Sequence, residues 1–221
     1  MNSVLLAVHD PAQAAVWGDA LRASRQWLVL EPVRSFGAAQ RSMSQLRPQL
    51  LIADLRLLDG TVLNVVRSLR YDLSALPTQV LVATQSDDRR ADDELLLRAL
   101  QEGADNFVCA ASAKPAELLQ LAQDTLAGGA EIAPWIARRL LNHFGVRGPM
   151  PSRAVIEELS NPLCLTEAER ALLVKLSNGF RVAELARVEG VGPRELTSRV
   201  REIYRKMQWR LRAGGLSLKV A

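Results

Sequence analysis

Between Pro193 and Met207 the chain sets out arginines and small hydroxyls at helical spacing: Arg194, Thr197, Ser198, Arg201 and Arg205 share one face, with Arg199 and Lys206 on its flanks. Guanidinium groups suit phosphates and guanine edges, and short hydroxyls can approach base edges closely. The pattern therefore fits a surface that lies in a nucleic-acid groove. The bland alternative is a solvated basic helix, as most charge-rich helical faces are. A second set of residues stands at the ends of apolar runs upstream. Asp54 closes the run Leu50-Leu51-Ile52-Ala53, Thr84 closes Val80-Leu81-Val82-Ala83, and Gly103-Ala104-Asp105 leads into Asn106-Phe107. Acids and hydroxyls at the carboxyl ends of strands are where an open α/β sheet gathers its chemistry.

The elements that must position these residues follow from periodicity and punctuation. Gly192 sits at an N-cap position and Pro193 at the first helical position, where its missing N–H costs nothing. Leu196, Val200, Ile203 and Met207 stack on the inward face of that helix, ending at Met207. Before it, Thr166 caps a helix whose stripe is Ala168, Leu172, Leu173 and Leu176, stopped by Asn178-Gly179; a short helix, Arg181 to Val188, follows. Glu189-Gly190-Val191-Gly192 then has the length and glycine content of a helix-turn-helix turn. Charge agrees: residues 165–221 hold 12 Lys+Arg against 6 Asp+Glu, whereas the remainder holds 16 against 18. A basic terminal module on a slightly acidic body is the footprint of a polyanion binder.

Residues 1–127 alternate short apolar runs with amphipathic segments. Val4–Val8, Trp27–Val33, Leu50–Ala53, Gln79–Ala83 and Asn106–Cys109 are expected as strands, and 12–24, 37–46, 60–70, 91–102 and 115–126 as helices. This alternation argues for a parallel sheet covered on both faces, in flavodoxin-like order. The expected organisation is an α/β domain at 1–127, a linker with a helix at 128–160, and an all-α domain at 161–221.

Two resemblances cover nearly the whole chain. Leu165-Thr166-Glu167-Ala168-Glu169-Arg170, Gly179, Glu184-Leu185-Ala186, Gly190-Val191, Val200 and Ile203-Tyr204-Arg205-Lys206-Met207 resemble the LuxR-type helix-turn-helix. The stretch around Asp54, Asp59-Gly60, Thr84 and Gly103 to Phe107 resembles the receiver domain of a NarL/FixJ-like response regulator, and Gly128-Gly129 through Leu141 resembles that family's linker helix. The resemblance implies a flavodoxin-like (βα)5 receiver followed by a four-helix LuxR-type helix-turn-helix domain. It implies that Thr197, Ser198 and Arg201 face the major groove, with Arg199, Arg205 and Lys206 near phosphates. For the receiver it implies Asp54 as phosphoacceptor, Thr84 as the switch hydroxyl and Phe107 as the switch aromatic.

The remaining receiver parts depart from the pattern. Receivers use two upstream acids to hold Mg²⁺ and a lysine to neutralise charge. Aligned on Pro11 the acids fall on Val8 and His9; aligned on the strand they fall on His9-Asp10, leaving Asp10 and Asp54 as the metal carboxylates. The lysine position holds Ala110, and Lys114 lies four residues later at a helix start. After Thr84 the segment is about four residues longer than the family habit, adding Asp87, Asp88, Arg89 and Arg90. The expectation is therefore a degenerate receiver that serves dimerisation or signal input, with no required cofactor and little use for Mg²⁺.

Composition narrows the rest. At 221 residues and 48% hydrophobic content the chain can bury a good core in two domains. Cys109 and Cys164 lack metal-type spacing, so no structural disulfide is expected, and no apolar run approaches a membrane span. A cytoplasmic protein without a membrane partner is expected. His9 is expected as a polar loop residue and His143 as an exposed one. Trp17, Trp27 and Trp135 are expected as packing anchors, and Trp209 in the module core or at a dimer seam. Gly214-Gly215 is expected to interrupt helix near the end of the chain. The leading function is a transcriptional regulator that binds double-stranded DNA as a homodimer and is not an enzyme. The alternatives are a two-component response regulator phosphorylated at Asp54 by a sensor kinase, and an adaptor that has lost specific DNA binding.

Overall fold

A computed structural model describes residues 1–71, 78–85, 89–145 and 164–217, so Asp87, Asp88, Asn161 and Pro162 lie outside the described residues. The chain divides into two compact units, Met1–Gly128 and Gly129–Ala221. In the first unit the apolar runs become a five-stranded sheet: β1 Asn2–Ala7, β2 Trp27–Val29, β3 Leu50–Asp54, β6 Gln79–Thr84 and β7 Asn106–Cys109. Every ladder pairing among them is parallel, in the order β2-β1-β3-β6-β7. Between β3 and β6 lies an antiparallel hairpin, β4 Arg56–Leu57 with β5 Gly60–Thr61, which periodicity did not foresee. The second strand is also shorter than expected. After Val29 the chain leaves the ladder and touches it again only at the bridge between Val33 and Ala7.

Helices α1 Pro11–Ala23, α2 Phe36–Leu46, α3 Val62–Tyr71, α4 Arg89–Glu102 and α5 Pro115–Leu126 connect the strands. Val4, Leu6, Leu50, Ile52, Leu81, Ala83 and Val108 pack with Trp17, Leu21, Trp27, Leu118 and Ala122 in one core cluster. Trp17 and Trp27 are thus packing anchors, as expected. Two polar contacts hold the ends of the layers. The Asp59 carboxylate, carried by the hairpin, accepts from the backbone N–H groups of Phe36 and Gly37 at the start of α2, which draws its pKa below the usual carboxylate range. Arg70 donates to the Gly103 and Thr78 carbonyls and pairs with the buried Asp105 at 2.7 Å.

The second unit holds four helices among its described residues: α6 Pro134–His143, α7 Glu167–Ser177, α8 Val182–Glu189 and α9 Pro193–Ser217. The expected caps are present. Thr166 and Glu169 form a capping box on α7, and Gly190 takes a left-handed conformation (φ 67°) after α8, as glycine permits. The fourth helix differs from expectation. It comes from the linker side as α6, whereas α9 runs on past Met207 through Gly214 and Gly215 to Ser217. Each glycine costs about 1 kcal/mol relative to alanine, and extending a helix that is already nucleated adds a hydrogen bond per residue fixed, which can offset that cost.

Gly129 to Gly145, expected as connecting linker, therefore pack as part of the second unit. Ile136, Ala137 and Leu140 bury the inner face of α6, and Arg138 Nε donates to the Ser177 carbonyl at 3.1 Å. A cation at the end of α7 also complements that helix's negative terminus. His143 is half-buried, contrary to expectation. Its ring meets Phe144 edge-on, and burial with the nearby Arg210 holds its imidazole below the ordinary range. Trp209 lies exposed, outside the module core.

Candidate functional site

The receiver-type pocket is built where β1, β3 and β6 end. Asp54 is the last residue of β3 and is only 1% exposed. Both of its oxygens are engaged: Oδ2 accepts the His9 backbone N–H at 2.7 Å, and Oδ1 accepts Gln85 Nε2 at 2.7 Å. Gln85 is held in turn by Gln13, whose Oε1 lies 2.7 Å from the same amide nitrogen, and Gln13 Nε2 reaches toward the Ala110 carbonyl. Burial raises the Asp54 pKa, and the His9 and Gln85 hydrogen bonds offset only part of that rise. The charged form is thus costly and is sustained by those donors. Gln13 and Gln85 escaped sequence reasoning. Their positions, in the first turn of α1 and directly after Thr84, were the only available signal.

The other receiver residues are placed as follows. Thr84 ends β6, is nearly buried, and turns its hydroxyl toward the Val108 carbonyl at 3.4 Å. Phe107 is half-buried in β7. Ala110 packs in the core cluster, and Lys114 is exposed at the N-cap of α5. The expected Mg²⁺ carboxylates, Asp10 and Asp54, are both engaged by donors of the chain. Asp10 Oδ1 accepts from Ala12 N–H at 2.9 Å as the N-cap of α1, and both Asp54 oxygens hold protein donors. Among the described residues no group of three His, Cys, Asp or Glu side chains could hold a metal ion. His9 takes part through its backbone, giving its N–H to Asp54 and its carbonyl to Arg34.

The second candidate surface is α9. Its inward stripe, Leu196, Val200, Ile203 and Met207, is fully buried as expected. Arg194 and Ser198 are exposed, and Thr197, Arg199 and Arg205 are half-buried. Arg199 pairs with Glu195 at 2.5 Å and Glu189 at 3.6 Å, and Arg205 pairs with Glu202 at 2.6 Å. These pairs involve partly exposed side chains and can be exchanged for phosphates at little cost.

Two expected contact residues do not face solvent. Arg201 is only 4% exposed, and one turn to either side of it the Ala130 N–H bonds the Thr197 carbonyl and the Tyr204 hydroxyl bonds the Glu131 carbonyl. Lys206 is turned into its own domain, where Nζ lies 2.7 Å from Glu169 Oε2 and donates to the Cys164 carbonyl at 3.1 Å. Both departures have one reason. The sequence shows which residues share a helix face but not which neighbouring segment packs on it.

The comparisons match this architecture. The receiver domain of a response regulator named NarL from Mycobacterium tuberculosis shares 23% identity at a TM-score of 0.51, over 57% of this chain and 97% of that one. The fold is that of the NarL/LuxR response regulators. A LuxR-family two-component response regulator from Aurantimonas agrees at a TM-score of 0.53 and 23% identity, over 66% of this chain and 98% of that one. Salmonella typhimurium RcsB, whose structure is described in terms of DNA interaction, extends the likeness to 93% of this chain and 91% of its own, at a TM-score of 0.50 and 17% identity. No family model and no curated protein matches the chain. The first unit thus has a receiver fold, and the likeness to RcsB extends over the helical second unit. No helix among the described residues is long and apolar enough to cross a membrane.

Proposed function

We propose that this chain is a DNA-binding transcriptional regulator of the response-regulator type, working as a homodimer in the cytoplasm, whose receiver acts with little dependence on aspartyl phosphorylation. The exposed Arg194 and Ser198, with Arg199 and Arg205 beside them, supply phosphate and base contacts from α9. The net positive charge of the second unit draws it to a polyanion. One module of this size covers only about 600–1,000 Å², so specificity calls for two copies on two half-sites.

The observation that carries the receiver part is the occupied Asp54 carboxylate, with His9 N–H on one oxygen and Gln85 Nε2 on the other. Attack on phosphorus competes with the Gln85 contact, and beside Asp10 the described pocket offers no further upstream acid and, at Ala110, no lysine to neutralise the product. A lost charge-assisted contact of that kind removes on the order of 1.5–3 kcal/mol from the phosphorylated form, and a modification shifts an equilibrium only by its differential interaction with the two states. The test is intact mass after incubation with a small phosphodonor and Mg²⁺. An unchanged mass is expected. A stoichiometric phosphoryl gain that disappears in Asp54→Asn would favour the second reading, a working two-component regulator served by a sensor kinase. That reading draws on Asp54 and Thr84 closing adjacent strands, β3 and β6. Selection from a random duplex pool separates both from an adaptor, which would enrich no sequence.

A further inference from the structure

We propose that Gly129 to Ala133, the stretch leading into α6, is an autoinhibitory strap that covers one sector of the recognition helix and must lift for full duplex engagement. The inference rests on α9 being the DNA-binding element. Thr197, Arg201, Tyr204 and Gln208 succeed one another at spacings of four, three and four, so they line one stripe of α9, beside the core stripe. Arg201, Tyr204 and Gln208 are each less than 9% exposed and Thr197 is half-buried, although three of the four are polar or charged and none belongs to the apolar stripe.

The cover is identified by two hydrogen bonds. Ala130 donates its backbone N–H to the Thr197 carbonyl at 3.0 Å, and the Tyr204 hydroxyl donates to the Glu131 carbonyl at 2.8 Å. Ala130 is itself 1% exposed. Thr197 and Arg201 are two of the residues whose types and spacing suit a groove, and a duplex cannot reach Arg201 while the strap is seated. Ser198 and Arg194, one step round the helix, stay open. The seated state therefore offers phosphate contacts from the open sector and withholds the covered arginine. Lifting the strap adds Arg201 to the reading face.

The strap is anchored at the far end. α6 packs on α7, and Arg138 caps that helix. Only Gly129 to Ala133 must move for the sector to open, while α6 can stay in place. Two hydrogen bonds tie Ala130 and Glu131 to α9, and a segment that exchanges between two states has to give these up.

The experiment uses the full chain and duplexes of about 30 base pairs enriched from a random pool, long enough for two half-sites a helical turn apart. Affinity at one fixed salt is measured for the parent, for Tyr204→Phe, which deletes the hydroxyl, and for Ala130→Pro, which deletes the N–H. Amide exchange at Ala130 is followed in the parent with and without saturating duplex. Each variant is expected to bind about five-fold more tightly, the change that loss of one hydrogen bond holding the closed state produces, and the Ala130 amide to lose protection in the complex. Unchanged affinities with a still-protected Ala130 amide would overturn the strap and leave the DNA-binding reading standing. Failure of all three proteins to bind any duplex at low ionic strength would overturn both.

Discussion

Replacing Lys206 with Met separates a structural lysine from a phosphate contact. The Lys206 ammonium pairs with Glu169 at 2.7 Å, with the two side chains only 15% and 11% exposed. Glu169 also accepts the Thr166 backbone N–H at 2.7 Å in the capping box of α7. Methionine keeps much of the aliphatic stem and leaves the carboxylate with its capping partner. The loss is then the charge-assisted pair with Glu169, about 1.5–3 kcal/mol in a shielded site, together with the bond to the Cys164 carbonyl. Removing the other partner costs more: Glu169→Ala also deletes the cap, worth about 1 kcal/mol, and leaves a shielded ammonium with one carbonyl. Glu169→Gln keeps the capping geometry and should fall between the two.

Urea unfolding of the full chain, followed through the transition of the second unit, gives that order directly. The same Lys206→Met protein then titrates a selected duplex at several salt concentrations. Each phosphate neutralised contributes about −0.9 to the log–log slope. The structure predicts a slope unchanged from the parent and a less stable second unit. A slope shallower by about 0.9 with unaltered stability would refute the reasoning, because it would mean that Lys206 leaves Glu169 for DNA.

Three further outcomes follow from the geometry. Asp54 has its folded pKa raised by burial, so it binds its proton more tightly folded than unfolded; stability falls as pH rises from the ordinary carboxylate range through the raised folded value. Asp54→Asn should abolish that fall and raise the melting temperature of the first unit near neutral pH, and a lower melting temperature there would contradict the assignment of burial as the dominant cause. Arg70→Met should destabilise the first unit by about 3–5 kcal/mol in chemical denaturation, since it takes the counter-charge from the buried Asp105, which keeps the Val80 N–H, and frees two carbonyls; a change below about 1 kcal/mol would show that the pair contributes little. Arg194→Ala should weaken a selected duplex by about 1–3 kcal/mol if it reads a base, or shift the salt slope by about 0.9 if it holds a phosphate, and an unaltered titration would remove it from the interface.

Much of this was legible before the fold because parallel sheets simplify the sequence. Fully buried strands read as unbroken apolar runs, such as Leu50 to Ala53, and a polar residue that ends a run marks the carboxyl edge of the sheet. That is how Asp54 and Thr84 stand out. The helix-turn-helix was legible through punctuation, in Thr166 with Glu169, Gly190 and Pro193. The polar partners were not. Gln13 and Gln85 carry no periodicity, and only the closing of β1 and β6 beside β3 brings them to one carboxylate. The covering of Arg201 was equally hidden. Ile136, Ala137 and Leu140 announce an amphipathic α6, but an apolar stripe does not name its partner, and here it draws Ala130 and Glu131 across a basic helix. Lys206 shows the same limit, since its spacing places it with the arginines while Glu169, 37 residues away in sequence, claims its charge.

The central claim is that α9 binds duplex DNA without a phosphoryl group on Asp54. Its most direct test is one affinity measurement on a selected duplex across a salt series, with the protein as purified and after treatment with a phosphodonor and Mg²⁺. Tight, steeply salt-dependent binding that coincides for the two preparations is expected. Binding that emerges only after treatment, or none at low ionic strength, would contradict it.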